Sequence, residues 1–138
     1  MIIFKIFGVV IRIDFFFLAF LAVIFSIKYY KLAFLVITAS VIHELVHIIF
    51  LYIYGGRLSE VEFLGLGIMM KANGRETVSR RRDAIIALSA PIFNILLGCA
   101  VLFSGGSWFG YINIAIGLWN ILPIKGLDGA TLKERTLS

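Results

Sequence analysis

Charged residues fill only 15% of the 138 positions, histidine occurs twice and cysteine once, while 61% of the residues are hydrophobic. That balance excludes an ordinary soluble composition and points to a membrane protein, with a length that fits one domain over residues 1–138. A single cysteine, Cys99, excludes an intrachain disulfide and any cysteine metal cluster; its plainest role is a small apolar filler in a helix. No secretory signal peptide is expected at the start, because the first apolar stretch contains Arg12 and Asp14 and no small-residue cleavage pattern follows it. The formal charge of +5 does not imply nucleic acid. Its basic residues Arg75, Arg80, Arg81 and Arg82 lie together between two apolar spans, where such a loop marks the cytoplasmic side of a membrane.

What is abundant is apolar sequence in runs. A helix needs about 20 apolar residues to cross about 30 Å of hydrocarbon. Four spans are predicted on that basis: Phe15 to Tyr30, which is short; Leu32 to Tyr54; Ala84 to Phe103, with Pro91 inside it; and Trp108 to about Ile124. Ahead of the first, Ile11-Arg12-Ile13-Asp14 alternates apolar and charged residues, the period of a strand. Between the second and third, Glu60 and Glu62 alternate with Val61 and Phe63, and Gly65-Leu66-Gly67 offers a turn before Ile68-Met69-Met70-Lys71. The expected fold is therefore a mainly α membrane protein: about four transmembrane helices, a short N-terminal strand, and a membrane-surface β-hairpin between helices 2 and 3. Asn73-Gly74 and the arginines make a polar approach to the third span. Lysine and arginine crowd the segments on one side of this arrangement, leaving only Lys28 and Lys31 on the other, which predicts cytoplasmic termini and a cytoplasmic hairpin.

The two histidines are His43 and His47, and with Glu44 they form His43-Glu44-Leu45-Val46-His47. Glu44 is the only acidic or basic side chain between Lys31 and Arg57. An ionisable group at bilayer depth costs about 2.5 to 3.5 kcal/mol on insertion scales, so a cluster there calls for a compensating role. Residues four apart share a helix face, so both imidazoles can reach one ion with Glu44 beside them. Zinc suits two neutral imidazoles and an oxygen ligand, with a fourth position for water. Glu44 is then the base that takes a proton from that water and passes it to a leaving amine, which implies amide hydrolysis. The site should lie about 10 Å from the C-terminal end of its helix. A chance motif is a poor alternative when every histidine of the chain falls within it.

A third protein ligand must be a carboxylate. Asp14, Asp83, Asp128, Glu60, Glu62, Glu76 and Glu134 are the candidates. Asp128 stands out because Pro123, Gly126 and Gly129 around it can unwind the end of the fourth helix, although an exposed turn aspartate is the plainer reading of that local sequence. Asn94 and Asn120 sit inside apolar spans. Each either bonds a neighbouring helix or faces the substrate backbone or oxyanion near the metal, and Asn113 suits packing.

Taken in order, the strand-like Phe7 to Ile13 entry, the His43 to His47 motif, the surface hairpin, Ala87-Leu88-Ser89-Ala90-Pro91-Ile92-Phe93-Asn94 and the Asn120, Pro123, Asp128-Gly129 segment resemble the site-2 protease family of intramembrane zinc metalloproteases, most closely its stage IV sporulation protein FB branch. The resemblance covers most of the chain. It departs at Ala90, Gly126 and Ala130, where the family usually has glycine, proline and glycine. It implies one Zn2+ held by His43, His47 and Asp128, Glu44 as the catalytic base, and Asn120 near the substrate or oxyanion. It also implies a membrane-protein substrate cut in or beside a transmembrane segment, with a released product such as a transcription factor, a place in a bacterial cytoplasmic membrane, and room for a membrane regulatory partner. Substrate addition as a strand to the hairpin edge, around Glu60 to Met70, follows as a hypothesis. Only ten residues follow Asp128, as expected for a minimal or C-terminally truncated member. Two other classes compete: a catalytically silent scaffold of the same fold, and a metal transporter or sensor, against which the lack of internal repeats argues. The sequence does not set the oligomeric state.

Overall fold

The computed structural model describes residues 1–26, 28–64, 67–73, 79–124 and 127–130. Two strands, β1 (Ile2–Ile6) and β2 (Val9–Ile13), lead into helices α1 (Phe15–Ser26) and α2 (Tyr30–Ile53). Strands β3 (Arg57–Leu64) and β4 (Gly67–Asn73) follow, and then helices α3 (Arg80–Phe103) and α4 (Trp108–Ile121). The four strands form one sheet in the order β1-β2-β3-β4, in which β2 and β3 run parallel and the outer pairs antiparallel. The expected single N-terminal strand is thus the second strand of a hairpin. Phe7 and Gly8, with φ of 47° and 86°, form its two-residue turn, the backbone a tight hairpin with right-handed strand twist requires. The β3–β4 hairpin occurs where it was expected; Gly65 and Leu66 of its turn, and Gly74, Arg75 and Glu76 after it, lie outside the described residues.

All four expected helices form, but among the described residues only two are long enough to cross a bilayer. At 1.5 Å per residue α2 and α3, each 24 residues, are about 36 Å long. By contrast α1, with 12 residues, and α4, with 14, measure about 18 and 21 Å, short of the roughly 30 Å hydrocarbon core. The expectation of four spans is corrected to two candidate spans flanked by two short apolar helices. Composition could not separate these cases, because aromatic Tyr29 and Tyr30 past α1 and Leu122 to Ile124 past α4 extend each run after the helix has ended.

The outward faces explain the composition. Phe34, Leu45 and Ile49 of α2 and Phe93 and Leu96 of α3 are all exposed. A soluble monomer rarely presents so large a contiguous apolar surface, and lipid is the medium that accepts it. Inside, the helices are held by close backbone approach. On α4, Gly110, Asn113 and Gly117 are the buried residues and fall on one face. A methyl group added at Gly117 would lie 2.6 Å from the Pro91 carbonyl oxygen, and one at Gly98 would lie 2.6 Å from that of Gly110. Small residues replace hydrophobic drive as the packing device between helices in lipid.

At the sheet end α2 stops in a Schellman turn: Gly56 N–H donates to Leu51 O and Gly55 N–H to Tyr52 O, both at 3.0 Å, with Gly55 at φ 83°. That turn feeds β3 directly, so the sheet is tied to one end of the long helices. Leu51 and Ile86 are buried together there, with Phe50, Tyr54 and Leu58 around them. Arg82, in the first turn of α3, lies 6.0 Å over the Tyr54 ring.

Because α3 and α4 touch through backbone, replacing Gly117 by leucine should lower unfolding stability in detergent by about 1–3 kcal/mol. Ala115→Leu, on the exposed side of the same helix, should leave the melting temperature unchanged.

Candidate metal centre

His43 and His47 project from the buried side of α2, one turn apart, with ring centroids 4.9 Å from each other and nearly perpendicular planes. Both lie within the half of α2 nearer the sheet, His47 about 9 Å from the end of the helix. His43 stands about 20 Å from the opposite end, which is close to the whole length of α4, about 21 Å. Since α4 starts at that opposite end, after the turn that closes α3, it runs out at the depth of His43. Its ending there is what brings the following chain to the histidines.

That chain turns back at Leu122 to Ile124, and Asp128 opens a short helical stretch over 128–130. Gly129 is buried beneath the end of α4, where an added Cβ would overlap the Ile121 carbonyl and lie 2.6 Å from the Leu122 oxygen. Only a residue without a side chain lets Asp128 come in this far. Its Oδ2 lies 3.0 Å from His43 Nε2 and 3.0 Å from His47 Nε2.

The tautomer of His47 follows from its other nitrogen. Nδ1 lies 2.9 Å from the Ile86 carbonyl oxygen, an atom that only accepts, so Nδ1–H is the donor. In the neutral ring Nε2 then carries a lone pair, and this buried nitrogen has no hydrogen-bond partner among the described residues. A lone pair and a carboxylate oxygen 3.0 Å apart repel unless a proton or a metal cation lies between them. The ligand atoms of His43, His47 and Asp128 all fall within 4.8 Å of one another, so the three residues can hold one metal ion. Ile86 O also accepts from Ser89 Oγ at 2.7 Å, which anchors the orienting carbonyl.

The remaining carboxylates have other places. Asp14 accepts a 2.7 Å bond from the Phe15 amide where β2 gives way to α1. Glu60 and Glu62 are on the sheet with Arg12 and Lys71, and Asp83 is buried in the first turn of α3. Glu76 and Glu134 lie outside the described residues, as does Gly126. Glu44 is half-buried beside the two histidines on α2. Neither asparagine is bonded to the cluster. Asn120 Nδ2 donates to Ile116 O of its own helix at 3.0 Å, and Asn94 is fully buried, its amide oxygen and nitrogen both without a hydrogen-bond partner among the described residues. The Ile86 carbonyl was invisible in the sequence, since every residue carries a carbonyl; the proline at 91, one turn on, was the only nearby irregularity.

The fold is one that has been seen before. The solved structure of the site-2 protease from Methanocaldococcus jannaschii superposes with a TM-score of 0.73, at 24% identity, over 99% of this chain and 71% of that one. No curated protein matches the sequence. A family profile, DUF3267, described as "Putative zincin peptidase", matches residues 36–124, a stretch that contains both histidines and Glu44 and ends four residues before Asp128. With well over half of its length matched, the chain belongs to that family, and it carries its paired histidines on a site-2 protease-like fold.

Proposed function

We propose that this protein is a zinc-dependent intramembrane endopeptidase that hydrolyses a peptide bond in or near a transmembrane segment of another membrane protein. The observation that carries the reading is the meeting of two imidazole nitrogens from an apolar helix, which also bears Glu44, with the Asp128 carboxylate within 4.8 Å. His43, His47 and Asp128 would hold one zinc ion. When bound, the metal supplies Lewis acidity, which polarises a carbonyl and makes a water molecule acidic near neutral pH. The chain's own residues do the rest. His47 is fixed through the Ile86 carbonyl, His43 and Asp128 complete the ligand set, and Glu44 takes the proton from the attacking water and returns it to the departing amine nitrogen.

A transmembrane helix hides its peptide bonds in its own hydrogen bonds, so a substrate must be unwound before it is cut. Support for an extended substrate comes from the sheet. β3 is paired on both sides, so within the expected Glu60 to Met70 edge the part free to accept a strand is that on β4, one of the two outer strands of the sheet. Addition of a substrate strand along Gly67–Asn73 would hold it in the extended form the chemistry needs. We further place the sheet and both termini on the cytoplasmic side of a bacterial membrane, from the excess of lysine and arginine in those segments. The stage IV sporulation protein FB branch, release of a transcription factor and a membrane regulatory partner rest on the order and spacing of the sequence motifs alone.

Three outcomes are expected of purified protein. Wild type should retain about one zinc per chain by elemental analysis and cut a membrane-segment substrate in a chelator-sensitive way, while Glu44→Gln keeps the metal and loses at least about 100-fold in rate. Zinc bound with no cleavage by wild type would favour the silent scaffold instead. Gly129→Ala, by displacing Asp128, should weaken zinc binding by about 10- to 100-fold without unfolding the helices, as read by metal titration and circular dichroism. Proline at Met69 and at Met70, tested singly, should lower cleavage at the position whose N–H points outward with zinc content unchanged; equal, wild-type kinetics for both would remove the strand-addition hypothesis.

A further inference from the structure

The N-terminal hairpin has an apolar face that the described residues leave uncovered. Ile2, Phe4 and Ile6 of β1 pair with Ile13, Ile11 and Val9 of β2, and Ile11 and Ile13 pair in turn with Val61 and Phe63 of β3. Paired residues share a face and successive ones alternate, so these side chains line one side of the sheet. The Phe63 ring lies 5.3 Å from that of Phe17, which makes this the side that faces the apolar helix α1. Lys5, Arg12, Glu60, Glu62 and Lys71 occupy the opposite side, where Arg12 pairs with Glu60, and Lys71 with Glu60 at 3.1 Å.

Three features select lipid as the occupant. The face abuts α1 through Phe17, and on either side of that contact α1 exposes Phe16 and Phe20, an apolar surface suited to lipid. The tip residue Phe7 is fully exposed and adopts φ 47° at a turn position that favours asparagine or glycine. Turn chemistry disfavours an aromatic ring there, whereas the apolar side of a segment lying at a membrane surface accommodates phenylalanine. Cationic Lys5, on the outward face and outside the Arg12–Glu60–Lys71 ion pairs, complements anionic headgroups.

We propose that β1 and β2 form a membrane-surface anchor, with Phe4, Ile6 and Phe7 seated at the boundary of headgroups and acyl chains and Lys5 in water. The unpaired edge of β1 keeps the hairpin at this shallow depth, because its backbone groups need water or headgroup partners. Anchoring sets the plane of the whole sheet, and hence the depth at which a strand added to β4 would lie. The proposal rests on the reading of the chain as a membrane protein.

The test uses the full chain with Cys99→Ala, reconstituted in nanodiscs of phosphatidylethanolamine and phosphatidylglycerol. Single cysteines at positions 3, 4, 5, 6 and 7, and at Leu96 as a control on the exposed face of α3, carry nitroxide labels. Collision with oxygen, which concentrates in lipid, is compared with collision with a water-soluble nickel chelate. Labels replacing Phe4, Ile6 and Phe7 should show a severalfold higher oxygen-to-nickel ratio than those replacing Ile3 and Lys5. Nickel-favoured values throughout the hairpin, with an oxygen-favoured label at Leu96, would overturn the anchor and leave the membrane reading standing. Shielding of positions 4, 6 and 7 from both reagents would overturn it in favour of a protein partner or a second copy. A nickel-favoured label at Leu96 would overturn the membrane reading and the anchor together.

Discussion

Two histidine nitrogens and one carboxylate oxygen, crowded to within 4.8 Å inside a bundle of apolar helices, set the terms for the rest of this molecule. Polar atoms set among apolar helices have few partners, and each must be oriented by something covalently or sterically fixed. For His43 and His47 the fixing element is α2 itself, which spaces them by one turn. For Asp128 it is the end of α4. The helix stops where the histidines are, and a glycine at 129 lets the returning chain pass close beneath its last carbonyls.

The dependence runs outward from there. For α4 to end at the depth of His43, it must be short and must be pressed against α3, and Gly98, Gly110 and Gly117 permit that contact through backbone. For α3 to serve the site, the Ile86 carbonyl must face α2, where it fixes the His47 ring and accepts the Ser89 hydroxyl as well. The sheet closes the arrangement at one end, joined to α2 by the Gly55 turn and to the N-terminal hairpin by parallel pairing of β2 and β3. A chemically demanding centre is thus carried by few residues because the backbone, rather than a network of side chains, does most of the positioning.

Much of this was legible in the residues. The His43-Glu44-Leu45-Val46-His47 spacing places two imidazoles on one face of any helix, whatever surrounds it. Runs of apolar residues located all four helices, and alternation at Glu60 to Phe63 located β3. Helix lengths were not legible, since an apolar residue scores the same inside a helix and just past its end, and α1 and α4 proved too short to span. The β1 strand was missed because Ile2, Ile3, Phe4 and Ile6 are apolar without alternation. Asn120 was read as facing either a neighbouring helix or the substrate, and its amide bonds Ile116 of its own helix.

What the sequence determined by itself was everything that depends on local spacing or on composition: an apolar chain suited to lipid, a pair of histidines one helical turn apart with a carboxylate between them, and glycines where helices turn. What only the tertiary structure decided was which distant groups join them. Seven carboxylates were open to selection as the third oxygen, and Asp128 lies 85 residues from His43 in the chain yet 3.0 Å from it in space. No local pattern encodes that meeting. It follows from the length of α4 and the closeness of its packing against α3, which are properties of the assembled bundle.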